Sequence, residues 1–199
     1  MRNEKNEIFI RDRADPFITK GSDGYYYFTA SYPMYGKDDP EGYDRIILRR
    51  SKTIEGLKNA EEKTVWDEKD SVTSHRFIWA PEIHEIGGRW YIFFAASGSG
   101  DNVWNINCHV ISCKGADPYN DAWEDKGKLK CPDEDDFSFT RFSLDMTHFS
   151  HLGRHYLLWA QHGGNSNVYI AEIDPSEPNR TICKAILFTK IDESFRLRL

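Results

Sequence analysis

The sequence lacks any apolar run near the ~18 residues that a membrane-spanning helix needs. It is also short of positive charge: 26 Lys and Arg face 32 Asp and Glu, for a formal net charge of −6. Nucleic acid and anionic lipid surfaces are therefore excluded as electrostatic partners. Cysteine is sparse, with only Cys108, Cys113, Cys131 and Cys183. Their spacing is not that of a zinc ribbon, and free thiols in a reducing compartment are expected. The opening residues 1–17 are interrupted by charge throughout and hold no apolar stretch of a secretory leader. A cytoplasmic protein is expected on that ground. Long amphipathic helices are missing too. The best helical stretch, 53–62, carries Gly56 at its centre and reads as a loop with a turn of helix. No metal site is expected from His148, His151 and His155, whose spacing fits a helix face. Their segment reads as strand, turn, strand, where the three would diverge.

Aromatic side chains are abundant, at 14% of the sequence, with 6 Trp, 10 Tyr and 12 Phe. Such residues fill sheet cores and also form floors on which sugars stack. They recur at a fixed period. Tyr26, Tyr91 and Tyr156 each open an apolar run and are spaced by 65 residues. Eleven residues before them stand Asp15, Ala80 and Asp145, with a glycine-bearing turn between in each case. Each unit reads as a short strand, a tight turn and a β-rich strand, and further strand candidates follow at 45–51, 103–113 and 167–174. Trp66 and Trp123 close the first two units.

A repeating four-stranded unit is the signature of propeller blades, so the expected fold is all-β. The blades fall near 13–78, 79–143 and 144–199, within one partial propeller domain over 1–199. Propellers close with about 4–8 blades. Three would leave sheet faces and edges open, so the chain is expected to be part of a longer protein. The last ten residues do not resemble a fourth blade opening.

Innermost strands of a propeller converge at one mouth of its channel, so residues in equivalent register meet there. Asp15 and Asp145 share a register, and two converging carboxylates suit glycoside hydrolysis. Each alone also fits a plain turn or capping role. Ala80 takes the register in the second unit, with Glu82 two positions on. Glu82 is expected to alternate away from the channel and to be structural. Trp79 is a candidate for stacking on a sugar face, with a blade-packing role as the alternative. Phe28, Ser31 and Phe77 are further candidate pocket residues. The Gly-, Ser- and Asn-rich loop 97–105 either carries Trp104 over the mouth or is a simple turn.

The motifs R-A-D-P-F-I, D-G-Y-Y-Y-F-T-A-S, I-W-A-P-E-I-H, G-G-R-W-Y-I-F-F-A-A and S-L-D-M-T-H-F occur in that order. Together they resemble glycoside hydrolase family 43, a five-bladed propeller group of arabinofuranosidases and xylosidases. The similarity runs from about Arg13 to about Thr189 and is nearest to the α-L-arabinofuranosidases. It implies an inverting hydrolase that removes terminal α-L-arabinofuranosyl residues from arabino-oligosaccharides or arabinose-containing hemicellulose. It also implies that Asp15 is the general base, and that Asp145 raises the pKa of the general acid and orients it. The acid itself is implied to be a glutamate on a fourth blade, near position ~210 by the period. Glu193 lacks the expected context and is not assigned. The 199-residue chain alone is therefore expected to turn over little. No catalytic cofactor is implied, though relatives hold an ion or water in the channel, so a structural calcium or sodium ion fits the full-length protein. The partner is a carbohydrate. The alternatives are a non-catalytic sugar-binding propeller piece and a β-xylosidase of the same fold.

Overall fold

A computed structural model of the chain describes residues 8–33, 42–71, 76–98, 102–163 and 165–189. The closing segment with Glu193, and residues 99–101 of the loop before Trp104, lie outside them. Twelve strands form three antiparallel sheets of four. The first holds β1 (Ala14–Lys20), β2 (Tyr26–Ser31), β3 (Arg45–Ser51) and β4 (Lys63–Asp67). The second holds β5 (Arg76–Ile86), β6 (Arg89–Ser97), β7 (Ile106–Cys113) and β8 (Trp123–Lys128). The third holds β9 (Ser143–His151), β10 (Arg154–His162), β11 (Ser166–Ile173) and β12 (Ile186–Thr189). Each sheet is a simple up-and-down meander. The expected helical turn in 53–62 is a short 3-10 helix, Glu55–Asn59.

Alternation along the strands feeds a separate core on each sheet face. On β6, Trp90, Ile92, Phe94 and Ala96 pack with Tyr27, Ile46, Leu48 and Trp66 of the first sheet. From the same strand, Tyr91 and Phe93 pack the other way, with Met146, Leu157 and Trp159 of the third sheet. The second sheet is thus sandwiched, and its strands read as nearly continuous apolar runs. The first sheet is covered on its outer side as well, by a smaller cluster of Phe28, Ala30, Ile47 and Leu57, while the third sheet leaves β12 exposed. Among strand residues, the exposed large apolar side chains are Ile18 in the first sheet and Phe149, Ile186, Leu187 and Phe188 in the third.

Polar clamps tie the first two sheets together. Glu85 accepts from the backbone N–H and the hydroxyl of Ser22, at 2.8 and 2.6 Å. Arg50 donates to both oxygens of Asp117, at 2.8 and 3.0 Å, and lies over the rings of Tyr25 and Tyr119.

The pairing corrects one detail of the repeat. Tyr91 pairs with His84 and Tyr156 with Phe149, whereas in the first sheet Thr19 pairs with Tyr27. Tyr27, not Tyr26, is therefore the structural equivalent of the other two tyrosines. The first hairpin carries one extra residue in its turn, and a slip of one residue moves a side chain to the opposite face. Tyr27 enters the core between the first two sheets, while Tyr26 packs on the outer side with Phe28, Ala30, Ile47 and Leu57.

Candidate active site

The three first strands share an irregularity at one register. In β1, Ala14 pairs with Ser31 and Phe17 with Thr29, so Asp15 and Pro16 together oppose one residue. In β5, Ala80 and Pro81 do the same between Trp79 and Glu82, and in β9, Asp145 and Met146 do so between Leu144 and Thr147. These are β-bulges, in which two residues face one and the strand is re-aimed. The first bulged residue is left-handed each time, with φ of 49° at Asp15, 44° at Ala80 and 53° at Asp145. That conformation costs a residue with a Cβ roughly 1–2 kcal/mol, and aspartate tolerates it better than most. The same unusual backbone therefore recurs wherever the sequence period places Asp15, Ala80 and Asp145.

The carboxylates at this register interact. Loss of hydration, and then the charges of Asp15 and Glu82, raise the Asp145 carboxyl above its ordinary value. Ser31, at the end of β2, is fully buried. Its hydroxyl donates to Asp15 Oδ2 at 2.7 Å and accepts from the Ala80 backbone N–H, also at 2.7 Å.

Simple alternation puts positions 80 and 82 on one face, so it gave no ground for turning Glu82 away; Glu82 pairs with Phe93 just after the bulge. Its Oε2 accepts from His84 Nε2 at 3.0 Å, and its charge reaches Asp145. The histidines also differ from expectation. His148 and His155 meet across β9 and β10, with Nε2 and Nδ1 3.1 Å apart and the rings stacked. Diagonal neighbours on paired antiparallel strands lie within reach of such side chains. His84 packs edge-on against His148 across the sheet boundary, and burial pushes His148 down to about 4. Among the described residues no group of three His, Cys, Asp or Glu side chains is arranged to hold a metal ion.

Aromatic residues flank the bulges. The rings of Phe77 and Tyr43 both pack edge-on to Trp79, at centroid distances of 5.8 and 6.0 Å. Sequence reasoning passed over Tyr43. It lies in the connection before β3 at a φ of 60°, and no periodicity marks it. Trp104 is 69% exposed and rests against Phe142, three residues before Asp145. Phe28 is buried on the outer side of the first sheet with Ala30, Ile47 and Leu57, and it borders a hollow of about 420 Å³ with Arg13, Pro16 and Ile18. A hollow of about 600 Å³ lies at the far end of the sheets around the Gly88 turn, and no bulge residue lines it.

All four cysteines are free. Burial pushes the Cys108 thiol up to about 12, so it is chemically inert whatever the redox conditions around it.

Comparison with known proteins gives these features a context. Residues 5–190 match the model of glycosyl hydrolases family 43. An extracellular exo-α-(1→5)-L-arabinofuranosidase of Streptomyces chartreusis is 41% identical over 168 residues, covering 82% of this chain and 47% of that protein. An enzyme of the same description from Streptomyces avermitilis is 42% identical over 165 residues, covering 81% of this chain and 31% of that protein. The crystal structure of an α-L-arabinofuranosidase from Lactobacillus brevis superposes with a TM-score of 0.75 at 38% identity, covering 92% of this chain and 55% of that one. The chain thus spans about half the length, or less, of the relatives it matches. The names of the two Streptomyces relatives overturn the expectation of a cytoplasmic protein. The charged opening residues were a poor guide to compartment, because secretory leaders are removed from mature proteins. The inert buried thiol and the other free cysteines do not demand a reducing compartment either. Three four-stranded sheets, a bulge repeated at one register and a match over nearly all its length lead to one conclusion: this chain belongs to glycosyl hydrolases family 43, and its sheets are three blades of that family's five-bladed propeller.

Proposed function

We propose that the protein carrying this chain hydrolyses terminal α-L-arabinofuranosyl residues from arabino-oligosaccharides or arabinose-containing hemicellulose, with inversion at the anomeric carbon. The observation that carries this reading is the recurrence of one left-handed bulge at Asp15 and Asp145, with the charge of Asp15 acting on Asp145. The arabinofuranosidase relatives support the choice of sugar.

In this reading Asp15 is the general base. Its Oδ2 is occupied by the Ser31 hydroxyl, which leaves Oδ1 to take a proton from the attacking water. Burial, and then the charges of Asp15 and Glu82, raise the Asp145 carboxyl above its ordinary value. By the same charge effect it keeps a neighbouring acid protonated near neutral pH. That acid, which protonates the leaving oxygen, is expected from a further blade. An acid and base about 6.5–9.5 Å apart leave room for the water that inverting hydrolysis requires. Trp79, backed by Tyr43 and Phe77, offers an aromatic face for the sugar, and Trp104 a second one nearer Asp145. The calcium or sodium ion that the resemblance allows in the channel would be structural. A purely sugar-binding role would leave the strained backbone at two carboxylates without a use.

The test is Asp15→Asn in the complete protein, assayed on an aryl α-L-arabinofuranoside. Loss of kcat on the order of 10²–10⁴-fold is expected for a missing general base. Activity within a few-fold of the parent refutes the assignment.

A further inference from the structure

We propose that Ser31 is a positioning residue for Asp15, and that through it the first blade's carboxylate is aimed by the second blade's backbone. The inference rests on the reading of Asp15 as the general base. It replaces the expectation that Ser31 lines the sugar pocket, because the hydroxyl is fully buried and its one proton goes to Asp15.

The direction of the hydrogen bonds follows from the donor inventory. A backbone N–H only donates, so Ser31 Oγ must accept from Ala80 N at 2.7 Å. The single hydroxyl proton is then free for Asp15 Oδ2, also at 2.7 Å. One oxygen of Asp15 is thereby committed as the acceptor of a hydroxyl proton that has no other acceptor among the described residues, and the proton taken from water goes to Oδ1. The link also crosses sheets. Ser31 ends β2 and pairs with Ala14, while Ala80 is the bulged residue of β5. The left-handed turn at Ala80 breaks regular pairing at its own register, and its N–H is used here to fix Ser31. The empty catalytic register of the second sheet therefore has a task. It carries no carboxylate, and it orients the carboxylate of its neighbour. Asp15 itself is solvent-exposed on a bulge and has no other side-chain partner among the described residues, so its rotamer depends on this contact.

Three Ser31 variants of the complete protein, assayed beside Asp15→Asn on an aryl α-L-arabinofuranoside, test the idea. Ser31→Ala removes the relay. Ser31→Cys keeps the volume and replaces a strong donor with a weak one. Ser31→Thr keeps the hydroxyl. Misplacing a catalytic group costs up to on the order of 10²-fold. The Ala and Cys variants are therefore expected to lose roughly 10- to 100-fold in kcat with KM within about twofold, while Thr retains most activity. A second readout does not depend on catalysis. In NMR spectra of the complete protein, the Ala80 amide proton and the Asp15 carboxyl carbon should shift together in the Ala variant and stay near their original positions in the Thr variant. If Ser31→Ala does not fold, the Cys variant carries the kinetic test. Parent-like kcat in the Ala or Cys variant, or failure of the two NMR signals to move together, overturns the positioning role. If Asp15→Asn remains active while the NMR signals do move together, the base assignment fails and the Ser31 link stands.

Discussion

His109 should make the fold acid-sensitive, by an amount that can be worked out from its surroundings. It lies on β7 at 1% exposure, packed against Phe94, and neither ring nitrogen has a hydrogen-bond partner among the described residues. Burial pushes its pKa down to about 4 from an ordinary 6.5, with Asp125 opposing the shift and Lys128 adding to it. Above pH 6.5 both folded and unfolded chains hold the ring neutral, and nothing is lost. As pH falls from 6.5 towards 4, the unfolded chain takes up a proton that the folded chain refuses, so stability drains away. Each unit of pKa difference is worth about 1.4 kcal/mol, which makes the full loss roughly 3 kcal/mol and most of it complete by pH ~4.5. His109→Leu removes the titration, and it also removes two unpaired polar atoms from an apolar site, so stability at neutral pH should hold or rise. The assay is urea unfolding near pH 7.5 and pH 4.5, followed by the fluorescence of Trp66 and Trp90 in the same core. The parent should lose about 2–3 kcal/mol more than the Leu variant between the two conditions. Equal losses in both proteins would refute the reasoning. Asp145 works in the opposite sense: its raised pKa contributes stability that is present at low pH and lost as pH rises through the folded value.

Substitutions at three positions probe the architecture directly. Gly21→Ala would set a Cβ 2.8 Å from Trp90 Cη2, and Trp90 is held in the core between the first two sheets, so a loss of about 1–3 kcal/mol is expected in denaturant unfolding. Ala80→Gly relieves a left-handed alanine while keeping the N–H that Ser31 needs. It should raise Tm by a few degrees, worth up to ~1 kcal/mol, and an unchanged or lower Tm would argue against strain there. Arg50→Ala removes the bridge to Asp117 and the stack on Tyr25 and Tyr119, costing about 1–2 kcal/mol. Arg50→Lys should recover only part of this, since the planar fork is lost, and full recovery would show that charge alone matters.

Much of the fold was legible because a blade is a local device. Hairpins, tight turns and β-rich runs lie within a few tens of residues of one another, and the repeat multiplies the signal. The carboxylate register was legible for the same reason. What escaped was set by single-residue events that composition does not record. One extra residue in the first hairpin turned Tyr26 and Phe28 to the outer side, and put Tyr27 where the period suggested Tyr26. His148 and His155, separated by a turn, met because strand pairing folds a hairpin back on itself. Contacts between sheets were also out of reach. The bond from Ala80 to Ser31 and the packing of Tyr43 on Trp79 join positions more than thirty residues apart that no short pattern links.

The repeated left-handed residue separates presentation from chemistry. Three blades supply the same mount, tilted by the same kink, and each fits it with whatever side chain the local gene segment encodes. Two carry an acid and the third carries a methyl group. A propeller built this way can gain, lose or relocate a reactive group by exchanging one codon per blade, with the supporting sheets left as they are.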